Sequence, residues 1–116
     1  MKVLVTGAAG FIGSAVALRL LDRGEQVVGL DSHNDYYDPA LKEARLARFA
    51  EHPGYRHYRA DIADREAVAE IFSTEQPDLV LNMAAQAGVR YSLTNPHAYV
   101  SANIEGFMNM LEACRH

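Results

Sequence analysis

The sequence predicts an α/β fold: a doubly wound parallel sheet of about four strands in the order 3-2-1-4, with helices on both faces. The main observation is that short apolar strands alternate with amphipathic helices along the 116 residues. A glycine-rich stretch lies where the first strand meets the first helix, and an aspartate ends the second strand. Right-handed crossovers between parallel strands give the expected order, and the length fits one domain.

The individual elements follow from apolar runs and from the turn residues between them. Strands are predicted at residues 3–5, 26–30, 55–59 and 78–83. Helices are predicted at residues 11–23, 39–51 and 97–115, and between Asp64 and Pro77. Asp64 is a typical N-cap, whereas Gly24 and Pro77 are typical of helix ends. The polar segments between these elements are expected to be loops.

Helical spacing also predicts which residues share a face. In the second helix, Leu41, Ala44 and Phe49 are expected to face the sheet. The last helix has an apolar face that comprises Val100, Ile104, Phe107, Met108 and Leu111. A parallel sheet that stops at its fourth strand exposes an apolar edge, so self-association into a homo-oligomer is expected.

The composition excludes several classes of partner. The chain has 11 basic and 15 acidic side chains, with no basic stripe, which argues against nucleic acid and anionic membranes as partners. No apolar run approaches the length of a membrane span, and the apolar N-terminus is too short for a signal peptide. We therefore expect a cytoplasmic chain.

The single cysteine and the histidines give no sign of special chemistry. Cys114 is the one cysteine, so no intramolecular disulfide is possible and a reducing compartment is expected. Its expected role is that of a small buried hydrophobe rather than a catalytic thiol. His52 and His57 lack a third ligand in register, so no metal site is predicted.

The stretch "VTGAAGFIGS" places Gly7, Gly10 and Gly13 between a strand and a helix. Gly7 permits a tight turn, Gly10 lets the backbone approach a pyrophosphate, and Gly13 allows close helix packing. The helix N-terminus favours an anion. The G-x-x-G-x-x-G spacing is one residue longer than the best-known dinucleotide pattern, and no lysine follows it, which excludes a P-loop. The alternative is that the glycines only turn a tight corner.

Asp31 ends the second strand, near the roughly 20-residue spacing expected for a carboxylate that binds the adenosine ribose. Such a carboxylate accepts hydrogen bonds from the ribose hydroxyls and repels a 2′-phosphate, so NAD is favoured over NADP. The alternative role for Asp31 is to cap a helix or turn. Asp61 and Ile62 follow the third strand, where they could reach adenine or form a solvated turn. The segment Ala84-Ala85-Gln86 follows the fourth strand, where small residues suit the rest of a dinucleotide.

Three stretches together resemble the N-terminal part of the extended short-chain dehydrogenase/reductase family: "VTGAAGFIGS", "DSHNDYYDPALKEARLARF" and "AAQAGVRYSLTNPHAYVSANIEGFMNMLEACRH". Within that family the chain looks most like the UDP-glucuronate 4-epimerases and related nucleotide-sugar epimerases. The resemblance implies a Rossmann-like, NAD-binding domain at residues 1–116, with the C-terminal catalytic and substrate part absent. Two departures are Asn82-Met83, where His-Leu is usual, and Ala15, where His is usual.

The resemblance also implies roles for individual residues. The phosphate contacts would be Gly7, Ala9, Gly10, Phe11 and Ile12, with Gly13 as the packing glycine. Asp31, Ser32 and Asn34 would lie at the ribose, Asp61 and Ile62 at adenine, and Ala84, Ala85 and Gln86 along the cofactor. Arg90 and Tyr91 would face the nucleotide sugar, and Asn103 would fix the backbone of the catalytic segment. A salt bridge within the loop is the alternative role for Arg90.

Such epimerases oxidise the sugar C4 hydroxyl with NAD and return the hydride to the other face, using a Tyr whose pKa is lowered by a Lys four residues later. None of the six tyrosines has a lysine at that spacing. The resemblance therefore implies an NAD-dependent nucleotide-sugar epimerase (an isomerase) at family level, and the absence of the Tyr and Lys pair predicts that this chain alone is inactive. The alternatives are a non-catalytic NAD-binding module and a self-associating fragment with little ligand affinity.

Overall fold

A computed structural model describes residues 1–32, 39–84 and 96–115. It contains a four-stranded sheet whose strands are all parallel and lie in the order β3-β2-β1-β4, as predicted. The strands are β1 (Lys2–Thr6), β2 (Gln26–Asp31), β3 (Tyr55–Arg59) and β4 (Leu79–Asn82). The central position of β1 explains its continuous apolar run, because Val3, Leu4 and Val5 are buried on both faces of the sheet.

The helices are α1 (Phe11–Asp22), α2 (Pro39–Ala47), α3 (Arg65–Glu75), α4 (Pro96–Val100) and α5 (Gly106–Arg115). Gly24 follows α1 with a φ of 85°, and the Asp64 carboxylate caps α3 by accepting a hydrogen bond from the Ala67 N–H. Both helix boundaries were predicted. Helix α2 ends earlier than predicted, and a π-helical segment, Ser101–Glu105, joins α4 to α5. The last helical region is therefore continuous but underwound at its middle.

The core has two layers, one on each face of the sheet. The first lies under α1 and α2 and contains Val3, Val5, Ala9, Ala17, Leu21, Val27, Leu46, Phe49 and Tyr55. The second lies under α3 and α5 and contains Leu4, Val28, Leu30, Ile62, Val68, Ile71 and Met110. Successive strand residues alternate between the two layers, as the two-residue period of a strand requires. This arrangement confirms the doubly wound α/β fold.

The inward face of α2 differs from the prediction. Leu41 and Ala44 are exposed, whereas Phe49, just beyond the end of α2, is buried as predicted, together with Lys42 and Leu46 of the helix. These three positions have the i, i+4, i+7 spacing of one helix face. The prediction used only the apolar residues of the helix, so it did not count Lys42 as an inward-facing position. It therefore selected the neighbouring face, which contains Leu41 and Ala44.

In the last helical region, the apolar face identified from the sequence is not the face that is buried. The five apolar residues that were predicted to share a face, Val100, Ile104, Phe107, Met108 and Leu111, are exposed, whereas Gly106 and Met110 are buried. The prediction that Cys114 is buried is wrong, because it lies exposed in the last turn of α5. Within the parts of the chain that the structure describes, no helix is long and apolar enough to cross a membrane.

The amino end of the sheet carries a buried carboxylate, Glu75, at the end of α3. Its Oε1 is 3.3 Å from Lys2 Nζ, and its Oε2 accepts hydrogen bonds from Arg56 at 2.9 Å and from the Tyr58 hydroxyl at 2.5 Å. Burial raises the pKa of Glu75, but these three hydrogen bonds outweigh burial and hold the pKa below its ordinary value. The cluster joins α3 to β1 and β3 at the end of the sheet opposite the glycine-rich turn.

Candidate functional site

The glycine-rich turn lies at the carboxyl end of β1 and is held by backbone hydrogen bonds. The Gly7 N–H donates to the Leu30 carbonyl at 2.7 Å, and the Gly10 N–H donates to the Gly7 carbonyl at 2.9 Å. Gly7 has a φ of 68°, and a Cβ there would lie 2.9 Å from backbone atoms of Met83 and Ala84. Gly7 therefore meets both requirements for glycine, a left-handed conformation and a close backbone approach.

Gly13 brings α1 against this turn. A Cβ on Gly13 would lie 2.0 Å from the Gly7 carbonyl oxygen, which is far inside van der Waals contact. This is the close helix packing that the glycine spacing predicts. The first turn of α1 therefore lies directly beside the end of β1, at the carboxyl edge of the sheet.

The start of α1 is suited to an anion. Its N-cap is Gly10, which makes no side-chain capping bond, and its first turn has no acidic residue. The first N–H groups of a helix have no partner within the helix, and the helix dipole is positive there. Helix α3 is different, because the Asp64 carboxylate caps it and Glu66 lies in its first turn. Phe11 and Ile12 are exposed beside the open end of α1.

Asp31 lies at the end of β2, next to the same turn, and is buried. Its Oδ2 accepts a hydrogen bond from the Ala9 N–H at 3.0 Å, and its Oδ1 is 3.0 Å from Lys42 Nζ. The carboxylate thus joins the glycine-rich turn to α2. In this structure the Ala9 N–H, one of the predicted phosphate contacts, donates to Asp31. Ser32 follows Asp31 and is exposed.

A tyrosine and a histidine of β3 lie on the same face of the sheet as Asp31. The Tyr55 hydroxyl is 2.6 Å from His57 Nδ1 and lies where a Cβ on Gly29 would otherwise be. Burial raises the pKa of the Tyr55 hydroxyl well above its ordinary value, and the negative charge of Asp31 raises it further. Tyr55 is therefore protonated at neutral pH and is not suited to act as a base.

The loop after β3 contains Asp61 and Ile62, the two residues predicted at adenine. Asp61 is exposed, and its Oδ1 accepts a hydrogen bond from the Ala63 N–H at 2.9 Å. Ile62 is buried beside Gly106, and its carbonyl accepts a hydrogen bond from Asn109 Nδ2 at 2.8 Å. Helix α5 thus holds this loop in place, a contact that the sequence analysis did not anticipate.

The ends of β1 and β4 are joined by the hydroxyl of Thr6. This hydroxyl donates to Asn82 Oδ1 at 2.5 Å and accepts a hydrogen bond from the Ala84 N–H at 3.0 Å. Asn82 belongs to the Asn82-Met83 pair, where the resemblance stated above leads one to expect His-Leu, and here it contributes to this junction. Thr6 was not predicted as a site residue. Its position directly before Gly7 could have indicated that it lies at the site.

The structure brings most of the predicted site residues to one edge of the sheet. These residues lie at the carboxyl ends of strands or directly after them: Gly7, Ala9, Gly10, Phe11, Ile12, Gly13, Asp31, Ser32, Asp61, Ile62 and Ala84. Asn34, Ala85, Gln86, Arg90 and Tyr91 lie outside the described residues. Within residues 1–32, 39–84 and 96–115, no group of three or more His, Cys, Asp or Glu side chains could hold a metal ion. Chemically, this edge offers an open helix N-terminus and a buried carboxylate to a ligand.

The comparison with known proteins agrees with this geometry. A UDP-glucuronate 4-epimerase of Arabidopsis thaliana (number 4) is 50% identical over 115 residues, which cover 99% of this chain and 26% of that protein. The structure of UDP-glucuronic acid 4-epimerase from Bacillus cereus, in complex with UDP-glucuronic acid and NAD, is 35% identical with a TM-score of 0.90. It matches 100% of this chain and 37% of its own. The NAD complex of UDP-glucose 4-epimerase from Thermus thermophilus is 37% identical with a TM-score of 0.83, over 99% of this chain and 34% of its own.

The chain thus spans between 26% and 37% of the length of these relatives. The likeness covers both the sequence and the fold, so the predicted resemblance to the nucleotide-sugar epimerases of the extended short-chain dehydrogenase/reductases is confirmed. A family profile described as GDP-mannose 4,6 dehydratase matches residues 4–116. The chain belongs to the GDP-mannose 4,6-dehydratase family.

Proposed function

We propose that residues 1–116 are the NAD-binding N-terminal part of a nucleotide-sugar 4-epimerase of the UDP-glucuronate/UDP-galacturonate type. The observation that carries this proposal is the pairing of an uncapped helix start at Gly10 with a buried carboxylate, Asp31, at the end of the next strand. The first suits a pyrophosphate and the second suits a ribose diol. The epimerase structures with bound NAD have the same fold.

In this proposal each part of the edge binds a different part of the dinucleotide. The N–H groups at the start of α1 bind the pyrophosphate, and Gly10 keeps side-chain atoms away from it. Asp31, with Ser32 and Asn34 after it, accepts hydrogen bonds from the adenosine ribose. Asp61 and Ile62 lie at adenine, and Ala84, Ala85 and Gln86 lie along the rest of the cofactor. Bound NAD supplies the acceptor for the hydride that a 4-epimerase removes from the sugar.

We further propose that the chain does not turn over a sugar by itself. Arg90 and Tyr91 would face the UDP-sugar, but the Tyr-x-x-x-Lys pair that removes and returns the C4 proton is absent from the sequence. The raised pKa of Tyr55 makes this buried tyrosine unsuitable as a replacement. The alternative, an NAD-binding module without catalytic use, predicts the same binding but no partner that restores turnover.

Calorimetric titration of the chain with NAD, NADP and UDP-glucuronate tests the proposal. We expect NAD to bind more tightly than NADP, and no 4-epimerisation of UDP-glucuronate. Gly10→Asp should lower the affinity for NAD by about tenfold or more, because it puts a carboxylate where the pyrophosphate would bind. Gly54→Asp is the matched control, since it adds the same charge at the amino end of β3, and it should leave NAD binding unchanged.

Two results would contradict this proposal in different ways. If neither dinucleotide binds, the third possibility holds, a self-associating domain with little ligand affinity. If the purified chain epimerises UDP-glucuronate, its assignment as a cofactor-binding part without catalysis is wrong. The chain can also be mixed with a second polypeptide that carries the Tyr and Lys. If turnover is then restored, the chain is part of an epimerase and not a non-catalytic NAD-binding module.

We also propose that the chain forms a homo-oligomer through β4. Both β3 and β4 are edge strands, but β3 carries Arg56 and Arg59, which oppose pairing with another sheet. In β4, Leu79 is 47% exposed, and a groove of about 1290 Å³ is lined by residues of β4, α3 and α5. Met108, an exposed apolar residue of α5, lines the same groove.

Sedimentation velocity over a range of concentrations should then show a species larger than the monomer. Leu79→Lys places a charge on the edge and should shift the chain toward monomer. Leu41→Lys is the matched control, because Leu41 is similarly exposed, at 45%, but lies on α2. An equal effect of both substitutions, or a monomer at all concentrations, would contradict association through β4.

A further inference from the structure

Helix α5 presents an amide side chain to the loop between β3 and α3. Asn109 lies in α5 between Gly106 and Met110, the two buried residues of that helix, and its Nδ2 donates a hydrogen bond to the Ile62 carbonyl at 2.8 Å. Only the nitrogen of an amide can donate to a carbonyl, so this bond fixes how the side chain is turned. The Ile62 side chain lies against Gly106. Helix α5 thus holds Ile62 at two points, its backbone and its side chain.

The bond from Asn109 also reaches the carboxylate of Asp61 through a single peptide unit. The Ile62 carbonyl and the Ala63 N–H belong to that unit, and the Ala63 N–H donates to Oδ1 of Asp61 at 2.9 Å. A peptide unit is planar, so its carbonyl and its N–H turn together. As long as Asn109 holds the carbonyl, the N–H therefore stays directed at the carboxylate.

Hydrogen bonds within the loop do not hold the Ile62 carbonyl. The Asp64 N–H donates to the Asp61 carbonyl at 2.9 Å, which closes the turn, and the Asp64 carboxylate caps α3. Among the described residues, the group that holds the Ile62 carbonyl is Asn109. The next residue of α5, Met110, is buried in the apolar layer, so packing alone does not require an asparagine at this turn of the helix.

On the basis of the NAD-binding function proposed above, in which Asp61 lies at adenine, we propose that Asn109 is a positioning residue for recognition of the base. Through the Ile62–Ala63 peptide unit it holds the Asp61 carboxylate in the orientation that accepts a hydrogen bond from the exocyclic amino group of adenine. Asp61 is exposed, and a carboxylate can accept about four hydrogen bonds, so the bond from Ala63 leaves room for the base. The site then favours an adenine dinucleotide over a hypoxanthine dinucleotide.

The choice of base separates this role from a purely structural one. Hypoxanthine carries an oxygen, a hydrogen-bond acceptor, in place of the amino group of adenine, and a carboxylate cannot donate to it. Nicotinamide hypoxanthine dinucleotide differs from NAD in this base alone. A loosened fold would weaken the binding of both dinucleotides alike, whereas a misplaced Asp61 carboxylate weakens the binding of NAD specifically.

Calorimetric titration with NAD and with nicotinamide hypoxanthine dinucleotide tests the proposal. The wild-type chain should bind NAD about tenfold more tightly, the effect of one hydrogen bond to a charged group. Asn109→Leu keeps a side chain of similar size without a donor, and it should reduce this ratio to about two or less. Met108→Leu is the matched control, because it places a leucine in the same turn on the exposed side of α5 and should leave the ratio unchanged.

A double variant tests whether Asn109 acts through Asp61. Asp61→Ala alone should reduce the ratio as far as Asn109→Leu does. Combining the two substitutions should reduce it no further, because both remove the same contact with the base. If Asn109→Leu does not fold, Asn109→Ala takes its place, since alanine favours a helix more than asparagine does.

The outcomes separate this proposal from the proposed function. If the wild-type chain binds neither dinucleotide, both are overturned. If it binds the two dinucleotides equally well, NAD binding stands and the role of Asn109 is overturned. An equal loss of affinity for both dinucleotides in Asn109→Leu also overturns that role, because a merely structural asparagine would give this result. A ratio in the double variant well below that of Asp61→Ala would show that Asn109 does not act through Asp61.

Discussion

Replacing Gly13 with alanine should lower the free energy of unfolding by about 3 kcal/mol, near the upper end of the usual cost of overpacking. The new Cβ would lie 2.0 Å from the Gly7 carbonyl oxygen and 2.7 Å from the Gly7 carbonyl carbon. Gly7 cannot move away easily, because the backbone of Met83 and Ala84 lies on its other side. The helix must therefore shift away from the sheet. Urea denaturation followed by circular dichroism measures the change.

Gly106→Ala is the control for this substitution. Gly106 is also helical, and a Cβ there would lie 2.4 Å from Cδ1 and Cγ1 of Ile62. Those atoms belong to a buried side chain, so alanine causes overpacking there as well, but a side chain can adjust more easily than the backbone of a turn. Alanine also favours a helix over glycine by about 1 kcal/mol, which offsets part of the cost, so we expect a loss of about 1 kcal/mol, smaller than for Gly13→Ala. A loss of stability as large as that of Gly13→Ala would show that backbone contact at the turn has no special importance.

The fold was predictable because its signals are local. Strand β1 is apolar through most of its length, Gly24 ends α1, Asp64 caps α3, and each of these features depends on a few adjacent residues. Strand order then follows from the handedness of the crossovers and needs no further sequence signal. The position of Asp31 beside the glycine-rich turn was predictable for the same reason, since the carboxyl ends of β1 and β2 meet at one edge.

The faces of the helices were not predictable in the same way. Apolar spacing shows that Ile104, Phe107 and Leu111 share a face, but it does not show whether the sheet or solvent lies against that face. The buried residues of α5 are instead Gly106 and Met110. Gly106 has no side chain, so the helix can approach Ile62 closely at that position. Lys42 was missed because its burial depends on a partner, Asp31, that only the tertiary structure places next to it.

Replacing Glu75 with glutamine should lower the free energy of unfolding by about 2 kcal/mol at neutral pH. Glu75 is 4% exposed and accepts hydrogen bonds from Lys2, Arg56 and Tyr58. An amide has one acceptor oxygen, so its nitrogen must face one of these donors. The loss is smaller than for a fully buried pair, because Lys2 and Arg56 are partly exposed and can be solvated. Urea denaturation measures it.

Glu112→Gln provides the control for this loss. Glu112 also pairs with an arginine, at 2.8 Å from Arg115, but both side chains are at least half exposed. Exposed pairs of this kind contribute about 0.5 kcal/mol or less. Any additional loss of stability in Glu75→Gln is therefore due to the burial of Glu75 and its larger number of hydrogen-bond donors, because both glutamates form an ion pair. Equal losses for the two variants would mean that the cluster at the amino end of the sheet is no stronger than a surface pair.

The effect of Glu75 should also depend on pH. Burial raises its pKa in the folded chain, but the hydrogen bonds from Tyr58, Arg56 and Lys2 outweigh burial and bring the pKa below the ordinary value of 4.5. A carboxylate with a lowered pKa contributes its full stabilisation above the unfolded pKa and loses it as pH falls through the folded pKa. The stability difference between wild type and Glu75→Gln should thus be constant near neutral pH and shrink below about pH 4.5. A difference that stays constant through this acid range would show that packing, and not the charge of Glu75, joins α3 to β1 and β3.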